Sequence, residues 1–175
     1  PSRHPRFADG NLVLAMQVQF PAIPDVRSPH DLTAGVRVAN AWLNSGGGEG
    51  TGLPMFVPQV DTDGNETSGI RHPEVEVPLA TYTGWNFTHP DAGDPHTLAA
   101  LAGSYIPFSI TRAQRERSQD PRLSIGERYD SREDFLNRIE AATRKLIDQR
   151  YLLDEDRPRI LDRATQHWDL LMGGG

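Results

Sequence analysis

Apolar residues recur at helical spacing mainly near the end of the chain. Phe135, Ile139, Ala142 and Leu146 fall on one face of a 3.6-residue period. Ser131 stands where the free backbone N–H groups at the start of that helix need an acceptor. Ile160, Leu161, Ala164, Trp168 and Leu171 repeat the pattern after Asp154-Glu155-Asp156 and Pro158, an acidic start with a proline in the first turn. Two amphipathic helices in succession predict a helical hairpin with a structural role. Capping-box spacing marks two shorter helices, at Thr111 with Gln114 and at Ser124 with Glu127.

Upstream the pattern changes. Twelve of the 14 prolines precede residue 108, so long helices are not expected there. Leu12 to Phe20 reads as the start of a strand, broken by Pro21 and Pro24. Met55–Val60 and Thr67–Arg71 read as extended segments on either side of "VDTDGNE". Glu74-Val75-Glu76-Val77-Pro78-Leu79 alternates polar and apolar, which predicts a half-buried strand. Leu98–Ala102 reads as a short helix stopped by Gly103. No internal repeat is visible. Together these patterns predict an α+β chain folded as one unit, irregular and β-hairpin-rich over 1–110 and helical over 111–175.

Composition narrows the function classes. The chain has 175 residues, the length of one domain, and 37% are hydrophobic, enough for a core. No apolar run approaches 18 residues, so no membrane-spanning helix is expected. The opening Pro1-Ser2-Arg3-His4-Pro5 reads like the middle of a loop, which gives the expectation of a fragment of a larger protein. The absence of Cys excludes disulfides, thiolate nucleophiles and Cys-based zinc sites. A net charge of −6 argues against a nucleic-acid partner. Residues 1–110 hold all of that excess, 5 basic against 11 acidic, whereas 111–175 balance 13 against 13, as solvated helix faces do. Lys145 is the only lysine.

The chemical motifs are weak. In "VDTDGNE", Asp61, Asp63 and Asn65 occupy calcium-loop positions 1, 3 and 5, but the glycine falls at position 4 and His72 takes position 12. Asp63-Gly64 is instead a favoured pair for a two-residue hairpin turn. His89, Asp91, Asp94 and His96 carry zinc-type donors within an open, proline-containing loop, so a solvated loop is expected there. Asn44–Gly52 is glycine-dense, but it lacks the lysine and spacing of a phosphate loop. No Gly-x-Ser-x-Gly elbow occurs at Ser45, Ser104 or elsewhere, so no catalytic residue is assigned. No metal or cofactor is expected. Asn65-Glu66-Thr67 and Asn86-Phe87-Thr88 are glycosylation sequons that matter only in a secretory pathway.

"VPQVDTDGNETSGIRHPEVEVPLATYTGWN" (Val57–Asn86) resembles the C-terminal part of a bacterial α/β-hydrolase-domain family of esterase-like proteins. Pro1–Val13, Gln19–Arg27, Gly103–Tyr129 and Leu152–Ile160 are similar to the same family in the same order, so the resemblance covers nearly the whole chain. It implies the C-terminal lobe of a serine hydrolase whose elbow serine and triad histidine lie upstream of these residues. That lobe would pack on the remaining α/β core and meet a small ester substrate. Thr81, Tyr82, Thr83, Trp85 and Asn86 combine hydroxyls and an amide with large aromatics, the mixture expected of a substrate-pocket wall or of core anchors. Arg71 with Glu74 reads as a clamp on the hairpin. The rival readings are a free-standing interaction module without catalysis and a calcium-binding module.

Overall fold

The computed structural model describes residues 12–29, 56–89, 91 and 102–173. The chain divides into two units, one made of residues 1–68 and 82–105, the other of 69–81 and 106–175. Helices and small two-stranded sheets are both present. No described helix is long and apolar enough to cross a membrane.

In the first unit, β1 (Leu12–Leu14) pairs antiparallel with β2 (Phe56–Pro58), Val13 opposite Val57. The strand begins as the apolar run predicts, but it gives way to a 3₁₀ turn at Ala15–Gln17, well before Pro21. Ala15, Val18 and Val57 are buried together, with Val13, Phe20, Val60 and Phe87 packed against them. Beyond β2 the chain reverses through the acidic stretch, where Val60 bridges Glu66.

That reversal is a three-residue loop, not the two-residue turn expected. Gly64 N–H donates to the Asp61 carbonyl at 3.0 Å, and Asp61 N–H donates to the Asn65 carbonyl at 2.8 Å. Thr62 and Asp63 form the turn, and Gly64 follows with φ of 81°. This is the type I turn with a left-handed third residue that closes three-residue hairpins, which is why the glycine stands last.

In the second unit, the alternating Glu74–Leu79 segment is not a strand. Pro73–Glu76 forms a short helix, α1, and the next strand, β3 (Ala80–Thr83), begins only at Ala80; it pairs with β4 (Ser104–Pro107), and the boundary between the units runs through both strands, after Thr81 and after Tyr105. Local chemistry overrides the period here. Pro73 occupies the first helical turn, His72 Nδ1 accepts the Glu74 N–H at 3.4 Å, and Glu74 and Glu76 place acids at the positive helix end.

The predicted helices follow. α2 (Arg112–Ser118) opens on the Thr111/Gln114 box and α3 (Ile125–Arg128) on the Ser124/Glu127 box. α4 (Arg132–Asp148) is capped by Ser131 Oγ, which accepts the Asp134 N–H at 3.1 Å. A 3₁₀ turn at Asp154–Asp156 leads into α5 (Arg157–Met172), with Pro158 in its first turn. α4 buries Phe135, Ile139, Thr143 and Leu146, and Phe135 and Ile139 share one core with Ile160, Ala164 and Trp168 of α5. Phe135 stacks on Trp168 with ring centroids 5.1 Å apart, and Tyr129 meets Phe135 edge-on at 5.1 Å. Arg132 clamps Asp169 with two hydrogen bonds of 2.8 and 2.9 Å, tying the start of α4 to the end of α5.

Asn44–Gly52, Asp94, His96 and Leu98–Leu101 lie outside the described residues. Gly103 is described, in the first unit, and its role there is close approach: a Cβ would overlap the Thr83 carbonyl oxygen.

Candidate functional site

The five pocket candidates fall in both units. Thr81 belongs to the second unit and the other four to the first. Thr81 is fully buried, and its Oγ1 accepts from Arg122 Nη1 at 2.8 Å. Thr83 Oγ1 donates to the Trp85 carbonyl and accepts the Ser104 N–H, while Ser104 Oγ donates to the same carbonyl at 3.0 Å. These hydroxyls hold a turn together. Trp85 is half-buried, its ring 5.6 Å from both Phe20 and Phe87, and Arg27 lies over the Phe87 ring at 3.9 Å. Tyr82 is half-buried beside Tyr105, with ring centroids 5.7 Å apart, and its N–H donates to Asn65 Oδ1 at 2.7 Å. Asn86 is exposed, and its Oδ1 accepts the Phe87 N–H.

Two of the calcium-loop side chains, Asp61 and Asn65, turn their oxygens to backbone N–H groups. Asp61 Oδ1 accepts the N–H groups of Asp63 and Asn65 at 2.9 and 3.0 Å. Asn65 is fully buried with its oxygen turned to Tyr82. Of the His-rich cluster, His89 and Asp91 are described, both exposed and 3.5 Å apart. Among the described residues, no group of three or more His, Asp or Glu side chains comes together to hold a metal.

Sequence reasoning missed a buried ion pair. Arg122 and Asp120 are 3% and 7% exposed. Asp120 accepts from Arg122 Nε at 2.9 Å and Nη2 at 2.6 Å. The remaining guanidinium hydrogens reach Thr81 Oγ1 and the carbonyls of Ile106 and Pro107. Burial pushes the Asp120 carboxyl up, but the side-chain and backbone hydrogen bonds from Arg122, with its charge, outweigh that and lower it. The only signal was an Asp and an Arg two positions apart around Pro121.

That arginine also bears on nucleophilic chemistry. Ser124 has Gly126 two positions after it, but Arg122 stands where an elbow needs the first glycine. Ser124 is fully buried, and its Oγ donates to Glu127 Oε2 at 2.7 Å. The Ser124 side-chain and backbone hydrogen bonds, then Arg115, hold the Glu127 carboxyl down to about 2. A carboxylate so reluctant to accept a proton is a poor general base near neutrality. Ser118 and Ser131 likewise use their hydroxyls in helix ends.

A cleft of about 290 Å³ lies within the second unit. Ile70, Arg71, Glu76, Lys145, Leu146 and Tyr151 are among its walls. Arg71 does not clamp Glu74: its Nη2 donates to the Val75 carbonyl at 2.7 Å and its Nε lies 3.5 Å from Glu76. Glu74 is 3.2 Å from Arg163 instead. Within one helical turn, Glu76 faces the cleft and Glu74 faces α5, so the partner follows helical geometry and not strand alternation.

A family model described as alpha/beta hydrolase domain matches residues 18–162. No curated protein and no solved structure matches the chain.

Proposed function

Because the chain belongs to the alpha/beta hydrolase domain family, we propose that it acts as the C-terminal, non-catalytic portion of a serine-type hydrolase of carboxylic esters. The observation that carries this reading is a contrast. The family match spans 145 positions, 18–162, yet the 175 residues contain no Gly-x-Ser-x-Gly elbow. The hydroxyls of Ser104, Ser118, Ser124 and Ser131 are each engaged in local structure, which supports a framework role.

In this reading the attack on the ester carbonyl is made by a serine outside these residues. A histidine takes its proton, and backbone N–H groups hold the oxyanion. Such chemistry needs no cofactor. This chain supplies framework to the remaining α/β core and a portion of the wall around a small ester. Of the five wall candidates, Tyr82, Trp85 and Asn86 are better suited to meet substrate, since the Thr81 and Thr83 hydroxyls are held by Arg122 and by the Trp85 turn.

The test is turnover of a nitrophenyl ester by the purified chain, with labelling by a serine-directed fluorophosphonate. Neither turnover nor labelling is expected. Turnover abolished by the fluorophosphonate would overturn the reading. The cleft in the second unit favours a second one, a binding module without catalysis. Saturable ligand binding there, with no gain of esterase activity on addition of the family's catalytic region, would select it.

A further inference from the structure

We propose that His72 is a proton-operated switch on α1. Neutral, its Nδ1 accepts the Glu74 N–H; protonated, the same nitrogen donates to the Glu74 carboxylate and draws it from Arg163 of α5. This goes beyond the hydrolase reading and does not depend on it.

Both partners of that nitrogen belong to one residue. His72 Nδ1 lies 3.4 Å from the Glu74 backbone nitrogen and 3.9 Å from Glu74 Oε2. A ring nitrogen that accepts an N–H bond carries no proton, so the cap requires a neutral imidazole with its hydrogen on Nε2. Adding a proton turns this acceptor into a donor, and the cap is lost. An imidazolium is attracted to a neighbouring carboxylate, and here one is already at hand. The His72 side chain is 44% exposed, open to protons from water, whereas that of Glu74 is 14% exposed, where its charge is less screened.

Glu74 is also the tie between α1 and α5. Arg163 Nε lies 3.2 Å from Oε1, on the oxygen that His72 does not face. The Arg163 side chain is 72% exposed, so its hold on the carboxylate is easily given up. His167, one turn after Arg163 on α5, feels the same carboxylate. Burial pushes its imidazole below the ordinary range, against the pull of Glu74 and with the push of Arg163. The other acid of α1 is turned elsewhere: Glu76 lies 3.5 Å from Arg71 Nε and 3.9 Å from Lys145 Nζ.

The helix is short enough for one cap to count. Val75 and Glu76 N–H both donate to the His72 carbonyl, and Val77 N–H to that of Pro73. Pro73 has no N–H, so the Glu74 N–H is the one donor of the first turn held by a side chain. The same turn carries Glu76 to the wall of the cleft, so a proton on His72 is felt there through α1.

An imidazole changes charge between pH 5 and 8, and the isotope-labelled full chain is followed by NMR over that range. At pH 8 the His72 ring is expected to carry its hydrogen on Nε2. As pH falls, the Glu74 amide and Arg163 Nε signals should shift with the midpoint of the His72 ring. The protection factor of the Glu74 amide should fall by about two- to fivefold, the low end for a lost cap. His72→Asn caps through an oxygen that does not titrate, so it should keep that protection at pH 5 and abolish the Arg163 shift. His167→Gln should leave both responses in place. A His72 hydrogen on Nδ1 at pH 8 overturns the proposal without recourse to any variant. An Arg163 signal that ignores the His72 midpoint also overturns it, as do responses that survive in His72→Asn or vanish in His167→Gln.

Discussion

Arg122 sends its guanidinium to Asp120, Thr81, Ile106 and Pro107 while almost wholly out of water. Removing it leaves a carboxylate buried without its counter-charge, so Arg122→Ala is expected to cost about 3–5 kcal/mol in denaturant unfolding. Arg122→Lys should recover only a minor part, since an ammonium cannot reproduce the planar fork. Glu127 makes a pH prediction at the same scale. Its carboxyl is held at about 2 in the fold against an ordinary 4.5. A lowered carboxyl binds fewer protons folded than unfolded, so its contribution is complete above pH 4.5 and fades as pH falls toward 2. Glu127→Gln should flatten the fall of melting temperature with pH across that window. If wild type and variant lose stability in parallel, Glu127 does not carry the effect. Residue types and spacing revealed the Ser124/Glu127 box but not the Arg122 pair. A box is a contact across three positions, whereas Arg122 meets Thr81 across 41 positions of chain.

Among the elements, α4 and α5 were the most legible, because a helix that packs on one side repeats its apolar residues for several turns. Phe135, Ile139, Leu146, Ile160, Ala164 and Trp168 are buried as their spacing predicts. Thr143 joins them at 0% exposure, outside an apolar pattern because it carries a hydroxyl, which is satisfied by donating to the Ile139 carbonyl at 2.8 Å within the same helix. Phe135 sits between Tyr129 and Trp168, so Phe135→Ala should cost about 3–5 kcal/mol by thermal or denaturant unfolding, as truncations of buried aromatics do. A cost below about 1 kcal/mol would mean the hairpin does not pack through this ring. The misread element is α1. Six alternating residues satisfy a strand period, yet a proline in the first turn, a His72 cap and two acids suffice for one helical turn. Over so short a window periodicity carries little weight.

For the whole molecule, family membership and architecture came from different information. The long signature at Val57–Asn86 pointed to an α/β-hydrolase-domain family, and the match over 18–162 places the chain there. The sequence by itself determined the mixed helix-and-strand class, the helical hairpin, both capping boxes and the place of the reversal at the acidic stretch, though not its loop length. Each depends on contacts within a few residues or on repetition along one face, so the order of residues contains it. Only the tertiary structure decided that 69–81 belong with the helical unit and that Glu76, not Glu74, faces Arg71. It alone also revealed Arg122 buried against Thr81, and Ile70, Arg71 and Lys145 around one cleft. Apart from Arg71 and Glu76, five positions apart, those relations join residues from distant parts of the chain. Local spacing cannot encode them, because which distant side chains meet is set by how the elements pack.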